Sequence, residues 1–326
     1  EATMLARHLG DDRKLAELLN IKGVRAFERD ELAESVQAHQ EADALYEKLD
    51  DDIVHRAHNL LRLAITQRQQ NDMDAALATI HRAHHMAGAE DLELLIALTL
   101  NAGAVYLNSD LRKVARYWHA ALRTARRTGN IDRIIHAMVD VGYLELLRGN
   151  DAEASRLLSD GYALSCENEL ENSAMRSASN LACVHLMRGD VARALELLTS
   201  AEEVGLRLEI GRRLWRVRAN LATAHEANGD LEKSYAVDTH VVAALGRGER
   251  LAHEGRRHAI PFLNVALRAE TSDLHRQLLD TLAPNVKQDV LATLETILGG
   301  ETSGVYQGLS AALKTIEGRR RFIVTE

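Results

Sequence analysis

The sequence predicts an all-α protein made of stacked helix pairs. Small residues recur at one phase of helical segments, at intervals of 41, 39, 39, 40 and 40 residues, namely Gly23, Ala64, Gly103, Gly142, Ala182 and Ala222. Two helices cross closely where a side chain is nearly absent, so each of these residues marks one crossing in one repeat. Aromatic residues make up 4% of the chain and there are two prolines, a composition that favours helices over strands.

Turn signals divide each repeat into two helices. In the best-formed repeat, Gly189 suits the position just after the first helix and Asp190 suits the N-cap of the second. The corresponding signals elsewhere are Arg29-Asp30, Asn71-Asp72, Ser109-Asp110, Gly149-Asn150 and Gly229-Asp230. They predict six helix pairs and a degraded seventh, near residues 12–50, 52–88, 91–128, 131–168, 171–207, 211–247 and 250–283.

The repeat weakens toward the C-terminus. Ser234 and Asp238 replace residues that are apolar in the preceding pair, so the second helix of the sixth pair is less apolar. Pro261 stands where another crossing was due, and it should end or kink a helix there. Two more helical patterns follow. We therefore expect the repeat array over 1–270, then C-terminal capping helices with a tail over 284–326.

The best-formed repeat resembles the tetratricopeptide repeat. Its small and apolar residues at repeat positions 8, 15, 20, 24 and 27 are Ala182, Gly189, Ala194, Leu198 and Ala201. The period departs from the family's length of roughly 34 residues, no proline ends the second helix, and His185 or His225 stands where the family usually has Tyr. These longer helices look most like the sensor domains of maltose-regulator-type bacterial transcription activators. The resemblance implies a right-handed superhelix, an α-solenoid of about seven pairs.

In such arrays the first helices line a concave groove, so the resemblance implies that a peptide, protein segment or small effector binds there. Position 6 is polar in five successive repeats, with Arg62, Asn101, Asp140, Asn180 and Asn220. An asparagine amide both donates and accepts hydrogen bonds, which matches a peptide backbone amide. The alternative is that these side chains cap neighbouring turns or meet only water.

Position 2 is basic in the later repeats. It supplies His136, Arg176 and Arg216, and bidentate arginine contacts would hold a carboxylate or phosphate. Tyr143, at position 9, would add apolar contact area. The alternative is that the arginines pair with surplus acids such as Glu202 as solvated surface charge.

Charge and hydropathy argue against other partners. The chain has 40 basic and 48 acidic residues, a net charge of −8, so it is not an overall trap for nucleic acid. The basic clusters Arg123/Arg126/Arg127 and Arg319–Arg321 hold three charges each, without interleaved aromatics, and short runs at helix ends complement the helix dipole. No apolar stretch approaches the roughly 20 residues that span a bilayer. We predict neither direct nucleic-acid binding nor membrane insertion.

No catalytic, metal or cofactor motif emerges. His81 and His85 have the spacing of two metal ligands on one helix face, but no third ligand is fixed by spacing. A phosphate-binding loop and a nucleophile elbow are both missing from the sequence. Cys166 and Cys183 are interpreted as buried structural residues, and two such cysteines without a signal peptide indicate the cytoplasm.

The sequence thus predicts a non-catalytic sensor or regulatory part of a bacterial signalling or transcription-regulating protein. The chain opens at Glu1 already in a helical pattern, which suggests a fragment of a longer protein. Two alternatives remain open. One is a protein–protein scaffold or homo-oligomerisation module, and the other is a helical accessory domain of an enzyme whose catalytic domain lies outside this chain.

Overall fold

Fifteen α-helices and one short 3₁₀ turn make up the part of the chain that the computed structural model describes. That part comprises residues 2–29, 31–49, 53–88, 91–107, 109–245, 259–269 and 271–282, with 284, 287, 288 and 290. No strand occurs among these residues, and the all-α prediction is confirmed. The chain forms two compact units, Glu1–Thr128 and Gly129–Glu326.

Helix pairs fill both units. In the first unit, α1 (Ala2–Leu9) precedes α2 (Asp12–Glu28), α3 (Leu32–Leu49), α4 (Ile53–Gln69), α5 (Met73–Met86), α6 (Leu92–Val105) and α7 (Leu111–Thr128). The second unit holds α8 (Ile131–Leu147), α9 (Asp151–Glu167), α10 (Glu171–Arg188), α11 (Val191–Arg207), α12 (Trp215–Ala227), α13 (Leu231–Ala244), α14 (Ala259–Ala269) and α15 (Asp273–Asp280). From α2 onward, helices pack in consecutive pairs, and successive pairs within each unit pack against each other.

Side-chain caps explain where many of the helices begin. Among the described residues, seven caps accept a hydrogen bond from the backbone N–H three residues later at 2.9–3.3 Å, namely Asp11, Asp72, Asp91, Asp110, Asn130, Asp190 and Asp230. Such a cap stabilises a helix by about 1 kcal/mol. Gly189 ends α10 in the left-handed region, at φ 80°. Asn150 is the N-cap of α9 as predicted, after Gly149 at φ 76°, but its side chain makes no capping bond, because its Nδ2 donates to Glu145 Oε2.

The predicted close crossings exist in both units. A Cβ atom placed on Gly103 would lie 2.4 Å from Trp118 Cδ1, and one on Gly142 would lie 2.8 Å from Leu158 Cγ. Trp118 is buried as its position suggests, and its Nε1 donates to the Leu100 carbonyl at 2.9 Å. Small residues at this phase are therefore required by packing within each pair.

The two cysteines differ. Cys183 is fully buried in the core of the second unit, where its thiol donates to the Ser179 carbonyl at 3.3 Å and burial raises its pKa. Cys166 is exposed, which corrects the expectation of burial. It lies in the last turn of α9.

A buried ionic network joins the last two pairs of the second unit. Arg268, on α14, is 2% exposed and donates to Glu226 Oε2 at 2.8 Å, Asp238 Oδ2 at 2.7 Å and Thr223 Oγ1 at 2.7 Å. The fully buried His275 places Nε2 3.3 Å from Asp238 Oδ2. This network explains why an acid replaces leucine at position 238, since the carboxylate neutralises a guanidinium that arrives from the next pair.

The end of the array differs from expectation. Pro261 neither ends nor kinks a helix, because it occupies the first turn of α14, where its missing N–H would have no partner anyway. Phe262 beside it is fully buried. The predicted capping region, 284–326, lies almost wholly outside the described residues.

Candidate functional site

The predicted groove of the second unit is formed by its first helices, α8, α10 and α12. Position 6 does not face open surface at Asn180 and Asn220, because both residues are 0% exposed. Asn220 Nδ2 lies 3.4 Å from Ser179 Oγ, so these amides belong to the seam between α10 and α12. The expectation that they contact a ligand from an open groove is corrected. In this unit the consecutive first helices α10 and α12 approach closely enough to bury this position.

Polar residues also fill a seam in the first unit. His39 Nδ1 and Asn59 Oδ1 lie 2.8 Å apart, while Asn59 Nδ2 donates to the His39 carbonyl at 2.8 Å. Ser35 and Thr66 join their hydroxyls at 3.1 Å. Burial lowers the pKa of His39, against the opposing effect of the hydrogen bond to Asn59, and so favours the neutral ring. Buried polar side chains thus occupy a seam between pairs in each of the two units.

A partly open polar cluster lies between α8 and α10. It consists of Asp132, His136 and Asp140 on successive turns of α8, with Ser173 and Arg176 on α10. Ser173 Oγ donates to Asp132 Oδ1 at 2.7 Å, and Arg176 Nη2 lies 3.9 Å from Asp140 Oδ1. The side chains of Asp140, Arg176 and His136 are 20%, 22% and 26% exposed. This polar cluster therefore presents a cation and a carboxylate to solvent at the same place.

Two other predicted residues of this unit, Tyr143 and Arg216, lie outside the polar cluster. Tyr143 is half-buried one turn beyond Asp140. Arg216 is half-buried, with its guanidinium 5.3 Å from the centre of the Trp215 ring. Arg218, rather than Arg216, takes Glu202, at 2.6 Å. An arginine therefore does pair with Glu202, as the alternative in the sequence analysis supposed, but it is Arg218 and not one of the predicted arginines.

In the first unit the predicted residues do not form a cluster of the same kind. Arg62 is exposed on α4. Asn101 is half-buried on α6 and its Nδ2 donates to the Ala97 carbonyl of its own helix at 2.9 Å. His58, at position 2 of the same repeat as Arg62, lies 3.4 Å from Asp91 Oδ2. Only Arg62 presents an exposed charged side chain here.

Two cavities of the second unit lie outside the predicted groove. One, of 580 Å³, is lined from α9, α10 and α11 by residues that include Tyr162, Cys166 and Met175. The other, of 450 Å³, is bounded by Leu206, Trp215 and further residues of α11, α12 and α13. Both involve second helices, which the groove argument left out. The apolar residues that line these cavities have the sequence pattern of ordinary core residues, so the sequence did not predict the cavities.

Among the described residues, no three His, Cys, Asp or Glu side chains are arranged to hold a metal ion. His81 and His85 are both exposed on α5. Within the same described part, no helix combines the length and apolar character that crossing a membrane requires.

His136 makes stability depend on pH. Burial, together with the charges of Arg176 and Arg133, lowers its pKa to about 4 from the ordinary 6.5, against the opposing effect of Asp132. Below pH 6.5 the unfolded chain takes up a proton that the folded chain binds only near pH 4. We expect the free energy of unfolding to fall by about 2–3 kcal/mol between pH 6.5 and 4 through this residue. Urea unfolding across that range would measure it.

The matched variants separate His136 from other titrating groups. His136→Gln should flatten this part of the pH dependence, whereas His84→Gln, at an exposed position on α5, should keep the parent profile. Equal pH profiles for His136→Gln and the parent would contradict the role of His136.

Comparison with known proteins identifies the fold. No protein-family model matches the sequence, and no curated protein matches it. A solved Rap protein complexed with the competence and sporulation factor is similar, with a TM-score of 0.60 and 17% identity over 86% of this chain and 76% of that one. The Rap conjugation gene regulator of plasmid pLS20, solved with the Phr* peptide, has a TM-score of 0.57 and 14% identity over 93% and 94%.

A third similar structure is a signal transduction ATPase with numerous domains and a tetratricopeptide repeat sensor, from Pyrococcus horikoshii. Its TM-score is 0.54 at 14% identity, over 97% of this chain and 44% of that one. At such identities the likeness establishes the fold. The chain folds as an array of stacked helix pairs like these structures, and the predicted all-α solenoid class is confirmed.

Proposed function

We propose that this chain is a non-catalytic regulatory module whose first helices bind a peptide or protein segment with a free or side-chain carboxylate. The polar cluster between α8 and α10 carries the proposal. Arg176 lies 3.9 Å from Asp140 with its side chain 22% exposed, and the five N–H donors of a guanidinium allow it to bind a ligand carboxylate in addition. Asp140 can in turn accept a hydrogen bond from a ligand N–H group.

Other residues would extend this site along the unit. Tyr143 would pack against an apolar part of the ligand, and Arg216 on α12 would supply a second cation. Asn180 and Asn220 would act indirectly, by holding α10 and α12 in register. Arg62 and Asn101 are candidates for an equivalent role in the first unit.

The similar structures support a peptide as the ligand class. The pLS20 Rap regulator was solved with the Phr* peptide and the other Rap protein with the competence and sporulation factor, and the Pyrococcus horikoshii ATPase carries its repeats as a sensor. By analogy, binding here would change the angles between successive pairs and regulate an attached domain in a bacterial signalling or transcription-regulating protein. The maltose-regulator type of sensor and a cytoplasmic location are part of the same proposal.

The test is a binding screen followed by matched variants. An array of random-sequence hexapeptides with free C-termini would be probed with the parent chain, and the strongest peptides remeasured by calorimetry. Arg176→Gln and Arg216→Gln should each weaken binding about 10- to 100-fold, because each removes a charge-assisted contact to a carboxylate. Arg193→Gln, an exposed arginine of α11 that pairs with Glu196, is the control and should bind like the parent.

The outcomes separate the alternatives. If Arg176→Gln and Arg216→Gln bind the selected peptides as tightly as the parent, the first-helix site is wrong for those peptides and the scaffold alternative gains. Peptide binding should also raise the melting temperature of the parent in proportion to ligand concentration.

A further inference from the structure

Helix α7 carries a stripe of positive charge that the proposed function does not use. The 18 residues of Leu111–Thr128 include no Asp or Glu, in a chain where acids outnumber bases by 48 to 40. Its six Lys and Arg residues are all exposed, namely Arg112, Lys113, Arg116, Arg123, Arg126 and Arg127. The helix therefore departs sharply from the acidic character of the whole chain.

The five arginines share one face of α7. At 100° per residue, they fall within an arc of about 100°, and the stripe extends for about 22 Å along the axis. The opposite face is buried, with Val114, Trp118, Ala121, Leu122 and Ala125 in contact with the core. The half-buried His119 lies within the same arc. The arginine stripe is thus continuous from one end of the helix to the other.

The exposed arginines Arg156, Arg193 and Arg207 of the second helices α9 and α11, by contrast, are paired within the chain. Arg156 contacts Glu153 at 2.6 Å, Arg193 contacts Glu196 at 2.5 Å, and Arg207 contacts Glu171 at 2.6 Å. Among the described residues, no carboxylate lies within ion-pair distance of an arginine of the stripe. The stripe is therefore available to an external anion along its length.

The helix dipole accounts for only part of this charge. Arg126 and Arg127 lie in the last turn, where cations are favourable, but Arg112 and Arg116 lie near the N-terminus, where cations are unfavourable. Arg112 and Arg116 also repel each other at i, i+4, as do Arg123 and Arg127. These charges lower the stability of the isolated helix. We therefore attribute the arginine stripe to an external partner.

The chemistry of the stripe selects among anionic partners. Guanidinium groups form paired hydrogen bonds with carboxylates and phosphates. No large apolar side chain of α7 is exposed, so the stripe lacks the groups that enter a bilayer or stack on unpaired bases. A long nucleic acid would also meet the acidic remainder of the chain, whereas a short acidic segment would meet the stripe alone.

We propose that the arginine stripe of α7 docks an acidic segment of another protein, with carboxylates spaced along a helix as the arginines are. This site is independent of the first-helix site proposed above. The partner would contribute Asp or Glu at intervals of three and four residues, because both helices then repeat their charges at the same pitch.

The probe is a fluorescein-labelled 16-residue helical peptide with Glu at i, i+4, i+7, i+11 and i+14. Anisotropy titrations would use the full chain, at about 50 mM and about 500 mM NaCl. The stripe variant is Arg116→Gln/Arg123→Gln/Arg127→Gln, and the control is Arg156→Gln/Arg193→Gln/Arg207→Gln, which removes the same number of charges from paired positions. We expect saturable binding by the parent, at least tenfold weaker binding by the stripe variant, and less than a twofold change in the control.

Circular dichroism melts would show that the stripe variant folds, with a melting temperature no lower than that of the parent. The proposal is overturned if the parent shows no saturable binding, if both variants weaken equally, or if a 16-base-pair DNA duplex or anionic vesicles bind the stripe more tightly than the peptide. Self-association lost in the stripe variant would also overturn it, because a second copy would then be the occupant.

Discussion

Replacing Arg268 by leucine is expected to lower the free energy of unfolding by about 3–5 kcal/mol. The guanidinium is buried and satisfies Asp238, Glu226 and Thr223 together. Removing it leaves the 1%-exposed Asp238 carboxylate with His275 as its nearest described polar group, at 3.3 Å. A charge without compensation in that position costs more than any single apolar contact nearby. Urea unfolding and amide hydrogen exchange in α12–α15 would measure the loss.

The compensating variant separates charge from packing. Arg268→Leu combined with Asp238→Leu should recover most of the lost stability, because the orphaned carboxylate is removed and the preceding pair already has Leu198 at the matching position. A loss below about 1 kcal/mol for Arg268→Leu alone would show that water solvates the carboxylate, and the buried network would not have the energetic role given to it here.

Gly103→Ala should destabilise the first unit by about 2–4 kcal/mol, although alanine is the better helix former. The added Cβ would lie 2.4 Å from both Cδ1 and Nε1 of Trp118. The indole cannot move aside cheaply, because Nε1 donates to the Leu100 carbonyl at 2.9 Å. Overpacking and a broken hydrogen bond therefore outweigh the gain of about 1 kcal/mol in helix propensity.

Gly161→Ala is the matched control. Gly161 is also a buried helical glycine, but the nearest atom to an added Cβ is Ser177 Oγ at 3.7 Å, an ordinary contact. This variant should be neutral or more stable by up to about 1 kcal/mol. Thermal melts of the two variants would compare them, and similar midpoints would mean that the crossing at Gly103 opens without cost.

The sequence predicted the fold because its signals are local and repeated. A small residue every 40 positions and an Asp or Gly at each turn act through crossings and caps within one pair, and the structure has them at Gly103 and Asp190. Pro261 was misjudged because its effect depends on its position within a helix, and the start of α14 carries no strong cap signal.

The candidate site was only partly predictable. Its geometry depends on how closely consecutive first helices approach, and a period near 40 does not reveal that distance. Asn180 and Asn220 fall in the seam, while Arg176 and Asp140 reach the surface. The contribution of Ser173 was missed because a small hydroxyl gives no periodic signal. Asp238 did give a signal, a carboxylate at a core position, but its partner comes from the degraded repeat.

Each compact unit contains one of the two tryptophans of the chain, Trp118 in the first and Trp215 in the second. Both are buried, at 3% and 7% exposure. In the Trp118→Phe variant, the remaining tryptophan fluorescence would therefore report on the second unit alone. In the Trp215→Phe variant, it would report on the first unit alone. The two spectroscopic signals would show whether a ligand, a denaturant or a substitution acts on one half of the molecule or on both.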